Sequence, residues 1–230
     1  MLPSPTLCTS LNAMVRSIRL SRRDIFGGNS INRPQQPTGS VADKDSDIPE
    51  IGYIGLRYQA GGVVAVGYNP GNGYSENRNP GDQKLMPALE CFRERCDETT
   101  YLNAIEVAQV VSQERAWRRH VRPWLEAIRR DADQIACLNV NPFRTKSPGN
   151  FPQAVWDKCW QLHLAPLLNM LEPKIAVGLG IGVGRYLSDP GRISTGTTVI
   201  TWNCARAETA EVKRDRETAK DQLRRAFRVI

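Results

Sequence analysis

Three asparagines follow predicted strands, and their side chains are the ones in this sequence best suited to chemistry. Asn69 follows the apolar run at residues 63–66, Asn139 closes a second apolar run, and Asn203 follows a third. An amide side chain both donates and accepts hydrogen bonds, which suits the edge of a nucleobase. We therefore expect a neutral hydrogen-bonding cleft where these strands end.

The elements that must position these residues are short apolar strands alternating with helical patterns. Alternation of this kind predicts an α/β fold, here a three-layer αβα sandwich with a central, mostly parallel, four-stranded sheet. Parallel strands end at one rim, so we expect the asparagines on neighbouring strands there. A loosely alternating segment, residues 51–58, predicts a further strand or an extended edge. The strands are predicted at residues 63–66, 134–139, 174–180 and 197–202, and the helices at residues 85–95, 104–115, 117–130, 155–171, 183–187 and 212–227.

The chain divides into two predicted parts. Residues 1–47 form an N-terminal arm and linker, with one short helix near residues 14–20. Residues 29–47 are rich in Pro, Gln, Gly, Ser and Asp, which predicts partial disorder. Residues 48–230 form one domain.

Charge favours a polyanionic partner. The 230 residues carry a formal net charge of +7, and the pI is near 9.3. Nucleic acid is the usual partner of such a chain, and here we expect DNA. No apolar run is long enough to cross a membrane, and the N-terminus has no clean apolar region typical of a secretory signal, so we expect no membrane partner.

Cysteine and histidine usage indicates neither a metal site nor a disulfide framework. None of the six cysteines forms a Cys-x-x-Cys pair, and their spacing fits neither a zinc site nor an iron–sulfur cluster. We expect free thiols in a reducing cytoplasm. His120 and His163 fall inside predicted helices away from the rim, which favours packing or surface roles. We expect no cofactor and a monomer.

Two loops beyond the strand ends carry further candidates. Tyr74, in the loop after Asn69, and Phe143 are able to stack on a base or to pack within the protein. Asn141 is a second candidate for base contact or a residue of an Asn-Pro turn. Arg144 and Lys146 lie in the same loop and are suited to phosphates.

These motifs, taken together and in order, resemble the uracil-DNA glycosylase superfamily. Gly-Tyr-Asn-Pro-Gly at residues 67–71 is similar to the Gly-x-Asn-Pro-Gly first motif of mismatch-type and single-strand-selective enzymes. Leu-Asn at residues 138–139 is similar to the strand end that carries the family's uracil-reading asparagine. Residues 164–168 and 172–180 are similar to the family's helix-then-strand segment. The resemblance extends from about residue 51 to about residue 207.

The resemblance implies a DNA glycosylase that cuts the N-glycosidic bond of a flipped base. Asn69 would position the attacking water, and Asn139 would read the edge of the base. Tyr68 and Gly71 would line the base pocket. Strict uracil enzymes of the family place a tyrosine where this chain has Gly71, so a larger substituent at C5 of a pyrimidine would have room.

The second motif departs from the family pattern. The family usually has His-Pro-Ser, or Asn or Met before Pro-Ser, whereas residues 202–207 here are Trp-Asn-Cys-Ala-Arg-Ala. Asn203 stands where the histidine or asparagine stands, but the Pro-Ser pair that makes a phosphate pinch is absent. Arg206 lies near the family's wedge residue, where a planar guanidinium is able to fill a vacated stack. A surface charge is the alternative for Arg206.

Other functions compete with excision of uracil. A glycosylase for a modified base in foreign (phage) DNA fits Gly71 and the unusual second motif. A non-catalytic DNA-binding module that retained the fold fits the missing Pro-Ser pair. A dinucleotide-binding fold is disfavoured, because the glycines at residues 178–184 do not follow the Gly-x-Gly-x-x-Gly spacing.

Overall fold

The protein is described by a computed structural model that covers residues 5–27, 48–68, 80–114, 120–143, 151–205 and 207–228. The strands are β1 (Tyr53–Ile54), β2 (Val63–Gly67), β3 (Ile135–Asn139), β4 (Ile175–Leu179) and β5 (Thr198–Trp202). They form one sheet in the order β1-β3-β2-β4-β5. β1 pairs antiparallel with β3, and all other pairs are parallel. The predicted α/β class with a mostly parallel sheet is confirmed. The sheet has five strands and not the predicted four, because β1 forms within residues 51–58, for which a strand or an extended edge was predicted.

Helices connect the parallel strands. The bounds are α1 (Pro5–Ile18), α2 (Arg22–Phe26), α3 (Pro80–Arg95), α4 (Glu98–Glu114), α5 (Arg122–Ile128), α6 (Gln153–Cys159), α7 (Ala165–Leu171), α8 (Ile181–Ser188) and α9 (Ala210–Phe227). The single helix predicted over residues 155–171 is divided by a π-helical turn, Trp160–Leu164, between α6 and α7. Pro166, in the first turn of α7, has no N–H to donate to the preceding turn, which favours this irregularity.

The order of the strands places helices on both faces of the sheet. The connection from β2 to β3 runs in one direction along the sheet, whereas the connections from β3 to β4 and from β4 to β5 run in the other. Because such crossovers are right-handed, α3 to α5 lie on one face and α6 to α8 on the opposite face. α9 packs against α5 and so joins the first layer.

Burial follows position in the sheet. In β2, Val64, Ala65 and Val66 are fully buried, because helices cover both faces of this central strand. The edge strand β5 instead alternates, with Ile200 and Trp202 buried and Thr198 exposed. The continuous apolar run of β2 and the alternation of β5 thus reflect their positions, since β2 lies at the centre of the sheet and β5 at its edge.

The N-terminal helices belong to the core, which corrects the predicted arm. Met14 and Ile18 of α1 are fully buried, and Ile25 of α2 is 1% exposed. α1 packs against α7, and α2 begins with a capping box between Ser21 and Asp24. Helices α1 and α2 therefore pack against other helices of the domain, and the predicted linker at residues 29–47 lies outside the described residues.

Candidate functional site

The carboxyl ends of β2 and β3 lie side by side at the rim. Gly67 and Asn139 are register partners in this parallel pair. Pairing continues beyond the strands, because the Val140 N–H donates to the Gly67 carbonyl at 2.8 Å and the Asn141 N–H donates to the Tyr68 carbonyl at 3.0 Å. The two segments therefore leave the sheet side by side. Tyr68, the residue before the proposed catalytic asparagine, lies beside Asn141.

The Asn139 side chain lies across the backbone of β2. A Cβ atom built on Gly67 would be 2.7 Å from Asn139 Oδ1, closer than real Cβ atoms approach a neighbour. Glycine at position 67 therefore leaves the space that the amide occupies. Asn139 is partly exposed, so a hydrogen-bonding group is available at the rim.

A neutral histidine lies beneath this asparagine. His163, in the π-helical turn, is fully buried. Burial lowers the pKa of His163 to about 4, and proximity to the backbone of Asn139 offsets only part of that shift. Neither ring nitrogen has a partner of good hydrogen-bond geometry among the described residues. The expectation that His163 lies away from the rim is wrong, whereas the packing role is confirmed.

An aromatic cluster runs from Tyr68 into the layer of α6 and α8. Tyr68 stacks on Phe151, with ring centroids 5.3 Å apart, and meets Trp156 edge-on at 4.9 Å. Trp156 contacts Tyr186 at 4.6 Å, and Tyr186 contacts Trp160 at 5.9 Å. Burial raises the pKa of Tyr68 to about 12, so its hydroxyl stays protonated at neutral pH. The packed rings fix the chain immediately before Asn69.

Arg192 closes the far end of this cluster. Its guanidinium lies 4.6 Å from the Tyr186 ring and 5.4 Å from the Trp160 ring. It also pairs with Asp157 at 2.6 Å and lowers the pKa of that carboxyl group. Only 19% of the Arg192 side chain is exposed, so its contacts with the two rings are shielded from water, which strengthens them. The Asp157 side chain is 40% exposed, so the ion pair faces solvent.

Asn141 and Phe143 are engaged within their own loop and the core. Asn141 is 1% exposed, its amide donates to the Phe143 carbonyl at 3.0 Å, and its Oδ1 accepts from the Phe143 N–H at 3.0 Å. Phe143 is fully buried and contacts Phe26 at 6.3 Å. These contacts agree with the alternatives of a turn residue and a packing residue.

Asn203 is also engaged within the protein. Its Nδ2 donates to Asp215 at 2.8 Å, and its Oδ1 accepts from the Ala205 N–H at 3.0 Å. It follows β5, and β4 lies between β5 and β2. At about 4.8 Å per strand, Asn203 stands roughly 14 Å from Asn139 along the rim. The expectation that all three asparagines follow neighbouring strands is therefore wrong for Asn203, although all three strands end at one rim.

The remaining predicted site residues lie outside the described residues. The structure brings together Tyr68, Asn139 and Asn141, and it separates Asn203 from them. The undescribed residues are Asn69, Gly71, Tyr74, Arg144, Lys146 and Arg206.

A cavity of about 560 Å³ lies at the amino ends of the strands, opposite the rim that carries the asparagines. It is lined by Val63 and Ile135 at the amino ends of their strands, together with Tyr58, Gly62 and Phe227. It therefore does not belong to the asparagine rim.

The described part of the chain contains neither a metal-binding cluster nor a membrane-spanning helix. No three side chains of His, Cys, Asp or Glu converge there as a metal site would require. No helix there combines the length and apolar character that a membrane span needs. Among the described residues, Cys91, Cys96, Cys137 and Cys159 carry free thiols.

Fold and rim together define an α/β protein with an amide at a strand end, an aromatic cluster packed around the neighbouring Tyr68, and a buried neutral imidazole near the backbone of Asn139. Comparison of the chain with protein-family models finds no match, and comparison with curated proteins finds none either.

Several residues of the site carry a weak signal in the sequence or none. His163 fits the apolar stripe of its helix, so nothing marks it as a neighbour of Asn139. In α9, the buried residues Val212, Ala219 and Leu223 define a stripe. Asp215 and Arg216 fall on the same side of the helix, three and four residues after Val212. Polar residues within an apolar stripe are the signal that would have revealed their contacts.

Proposed function

We propose that this protein is a DNA glycosylase that hydrolyses the N-glycosidic bond of uracil or a modified base flipped out of DNA. One observation carries the proposal: the Asn139 amide is held across Gly67, beside the residue that precedes Asn69. A base-reading amide and a water-positioning amide would thereby share one edge of the sheet. The net charge of +7 supports DNA as the partner.

The reaction breaks the bond between C1′ of the sugar and the base nitrogen. The base first leaves the stack, which costs a few kcal/mol. Asn69 then orients a water through its amide oxygen, and the water oxygen bonds to C1′ as the electron pair departs with the base. An amide does not titrate, so this role is positioning rather than proton abstraction. The water proton passes to solvent or to the departing base.

Asn139 stabilises the departing base. Its amide hydrogen-bonds the polar edge of the base, and these bonds strengthen as negative charge grows there. A charged histidine near the backbone of Asn139 would alter that field, but burial keeps His163 neutral at physiological pH. The aromatic cluster behind Tyr68 limits movement of the chain before Asn69. By the resemblance, a glycine at position 71 would leave space beside C5, which extends the proposed substrates to 5-substituted pyrimidines.

The same proposal places the protein in the cytoplasm as a monomer that acts in repair or in defence against foreign DNA. A glycosylase that acts on foreign DNA would use the same site and would differ in the base that it excises. A non-catalytic DNA-binding module is the second candidate. It is favoured by the absent Pro-Ser pair and by the Asn203 amide, both ends of which bond within the protein.

A panel of single- and double-stranded oligonucleotides separates these functions. Each carries uracil, hypoxanthine or a 5-substituted cytosine, and the released base is identified by mass spectrometry. We expect free base and alkali-labile abasic sites from at least one substrate. Salt-sensitive binding to the DNA without release of any base would instead favour the binding module.

A further inference from the structure

The loop that follows β5 is held by a single arginine of α9. Arg216 Nε donates to the Asn203 carbonyl at 2.9 Å, and Nη2 donates to the Ala205 carbonyl at 3.0 Å. The third nitrogen, Nη1, pairs with the Glu208 carboxylate at 2.6 Å. Only 11% of the Arg216 side chain is exposed. One planar guanidinium thus bonds the chain on both sides of position 206.

The Asn203 amide holds the same loop from the other direction. Its Oδ1 accepts from the Ala205 N–H, and its Nδ2 donates to Oδ2 of Asp215, the residue that directly precedes Arg216 on α9. Both the N–H and the carbonyl of Ala205 are therefore bonded to side chains. Asn203 itself is 8% exposed.

The indole of Trp202 supports the arrangement. Trp202 is fully buried, and the Arg216 guanidinium lies 5.8 Å from its ring. Charge-assisted hydrogen bonds from a fixed guanidinium fork are stronger and more directional than neutral ones. A backbone held by this many bonds has little freedom to change shape.

The geometry points to a clamp, formed by Asn203, Asp215 and Arg216, that fixes the backbone of residues 203–205 at the rim in one shape for contact with DNA. Its contribution to DNA binding rests on the proposed function. In the clamp, Asn203 and Arg216 are positioning residues and not readers of DNA.

An exchange of the two polar partners tests the clamp. Asn203→Asp places two carboxylates in contact and removes the donor to Asp215. The double variant Asn203→Asp with Asp215→Asn restores one donor and one acceptor in reversed order, while the carboxylate introduced at position 203 still accepts from the Ala205 N–H. Arg216→Lys keeps the charge but loses the fork, and Arg224→Lys, an exposed arginine of the same helix paired with Asp221, is the matched control.

The first readout is amide hydrogen exchange of residues 203–208 in the free protein. Loss of about 1.4 kcal/mol of local stability corresponds to about tenfold faster exchange. We expect that acceleration in the Asn203→Asp and Arg216→Lys variants, and a return toward the wild-type rate in the double variant. Unchanged exchange in the single variants, or no rescue in the double variant, would overturn the clamp.

The second readout is affinity for a duplex that carries a stable tetrahydrofuran abasic site. We expect the Asn203→Asp and Arg216→Lys variants to bind at least several-fold more weakly, the double variant to recover, and Arg224→Lys to match the wild type. Faster exchange with unchanged affinity would overturn the clamp's role in DNA contact. A wild-type protein that binds no DNA would refute the proposed function, whereas the exchange data judge the clamp independently.

Discussion

The Asn139 side chain occupies the space that a Cβ atom at position 67 would need, because Asn139 Oδ1 lies 2.7 Å from that point. The two residues are partners in the register of β2 and β3. The identity of one residue therefore controls the orientation of the other. In the proposed mechanism, the small residue sets the direction of the base-reading amide.

This relationship predicts that Gly67→Ala impairs activity more than stability. The added methyl group meets the end of a side chain, which is able to rotate away, so we expect a stability loss of about 1 kcal/mol or less. The displaced amide should lower kcat/KM by about tenfold to a hundredfold. Base release and thermal unfolding measure the two effects.

Gly196→Ala is the matched control for that variant. Gly196 is exposed, and a Cβ atom built there has no neighbour within 4 Å. We expect wild-type activity from it. Equal activity of the Gly67→Ala and Gly196→Ala variants would show that the Asn139 orientation is unimportant for base release.

Removal of the proposed water-positioning amide should separate cleavage from binding. We expect Asn69→Ala to lower the single-turnover rate of base release by about a hundredfold or more, because the nucleophile loses its orientation. Affinity for the same DNA should change little. Asn169→Ala, at an exposed position of α7, is the control. A fully active Asn69→Ala protein would remove Asn69 from the mechanism.

Stability should fall as the pH drops through the histidine range. The pKa of His163 is about 4 in the folded protein, below its ordinary value of 6.5. Between these values the unfolded chain binds a proton that the folded chain does not, so stability is fully present above pH 6.5 and is lost as the pH falls toward 4. We expect roughly 2 kcal/mol to be lost between pH 7 and pH 5.

Urea unfolding at a series of pH values measures this loss. The His163→Gln variant has no titrating ring, so its stability should depend less steeply on pH over the same interval. The slopes are compared rather than the absolute stabilities, since the substitution itself changes packing. Parallel slopes for the two proteins would contradict a buried neutral His163.

The salt dependence of DNA affinity should reveal phosphate contacts in the loop that contains Arg144 and Lys146. If Arg144 and Lys146 each neutralise one phosphate, replacing either with alanine should reduce the slope of log K against log salt by about one. Lys174→Ala is the control, because Lys174 directly precedes β4 and so lies at the amino ends of the strands, away from the rim. Fluorescence anisotropy with one oligonucleotide across a salt series gives the slopes. Identical slopes for all the variants would place the DNA elsewhere.

The sequence by itself determined the class of fold and the chain positions of the strands. Apolar runs such as that of β2 are local signals, and their alternation with helices requires a mostly parallel sheet. It also indicated that Asn69, Asn139 and Asn203 follow strands that end at one rim. The edge that carries the candidate site was therefore predictable, because parallel strands deliver their carboxyl ends to the same edge.

Only the tertiary structure decided which of these residues are neighbours. Strand order places β4 between β2 and β5, and no local pattern encodes that order. The same holds for His163 beneath Asn139, and for Arg216 bonded to carbonyl groups 11 and 13 residues away. Contacts between distant segments depend on how layers pack, whereas periodicity records only which face of each element is buried.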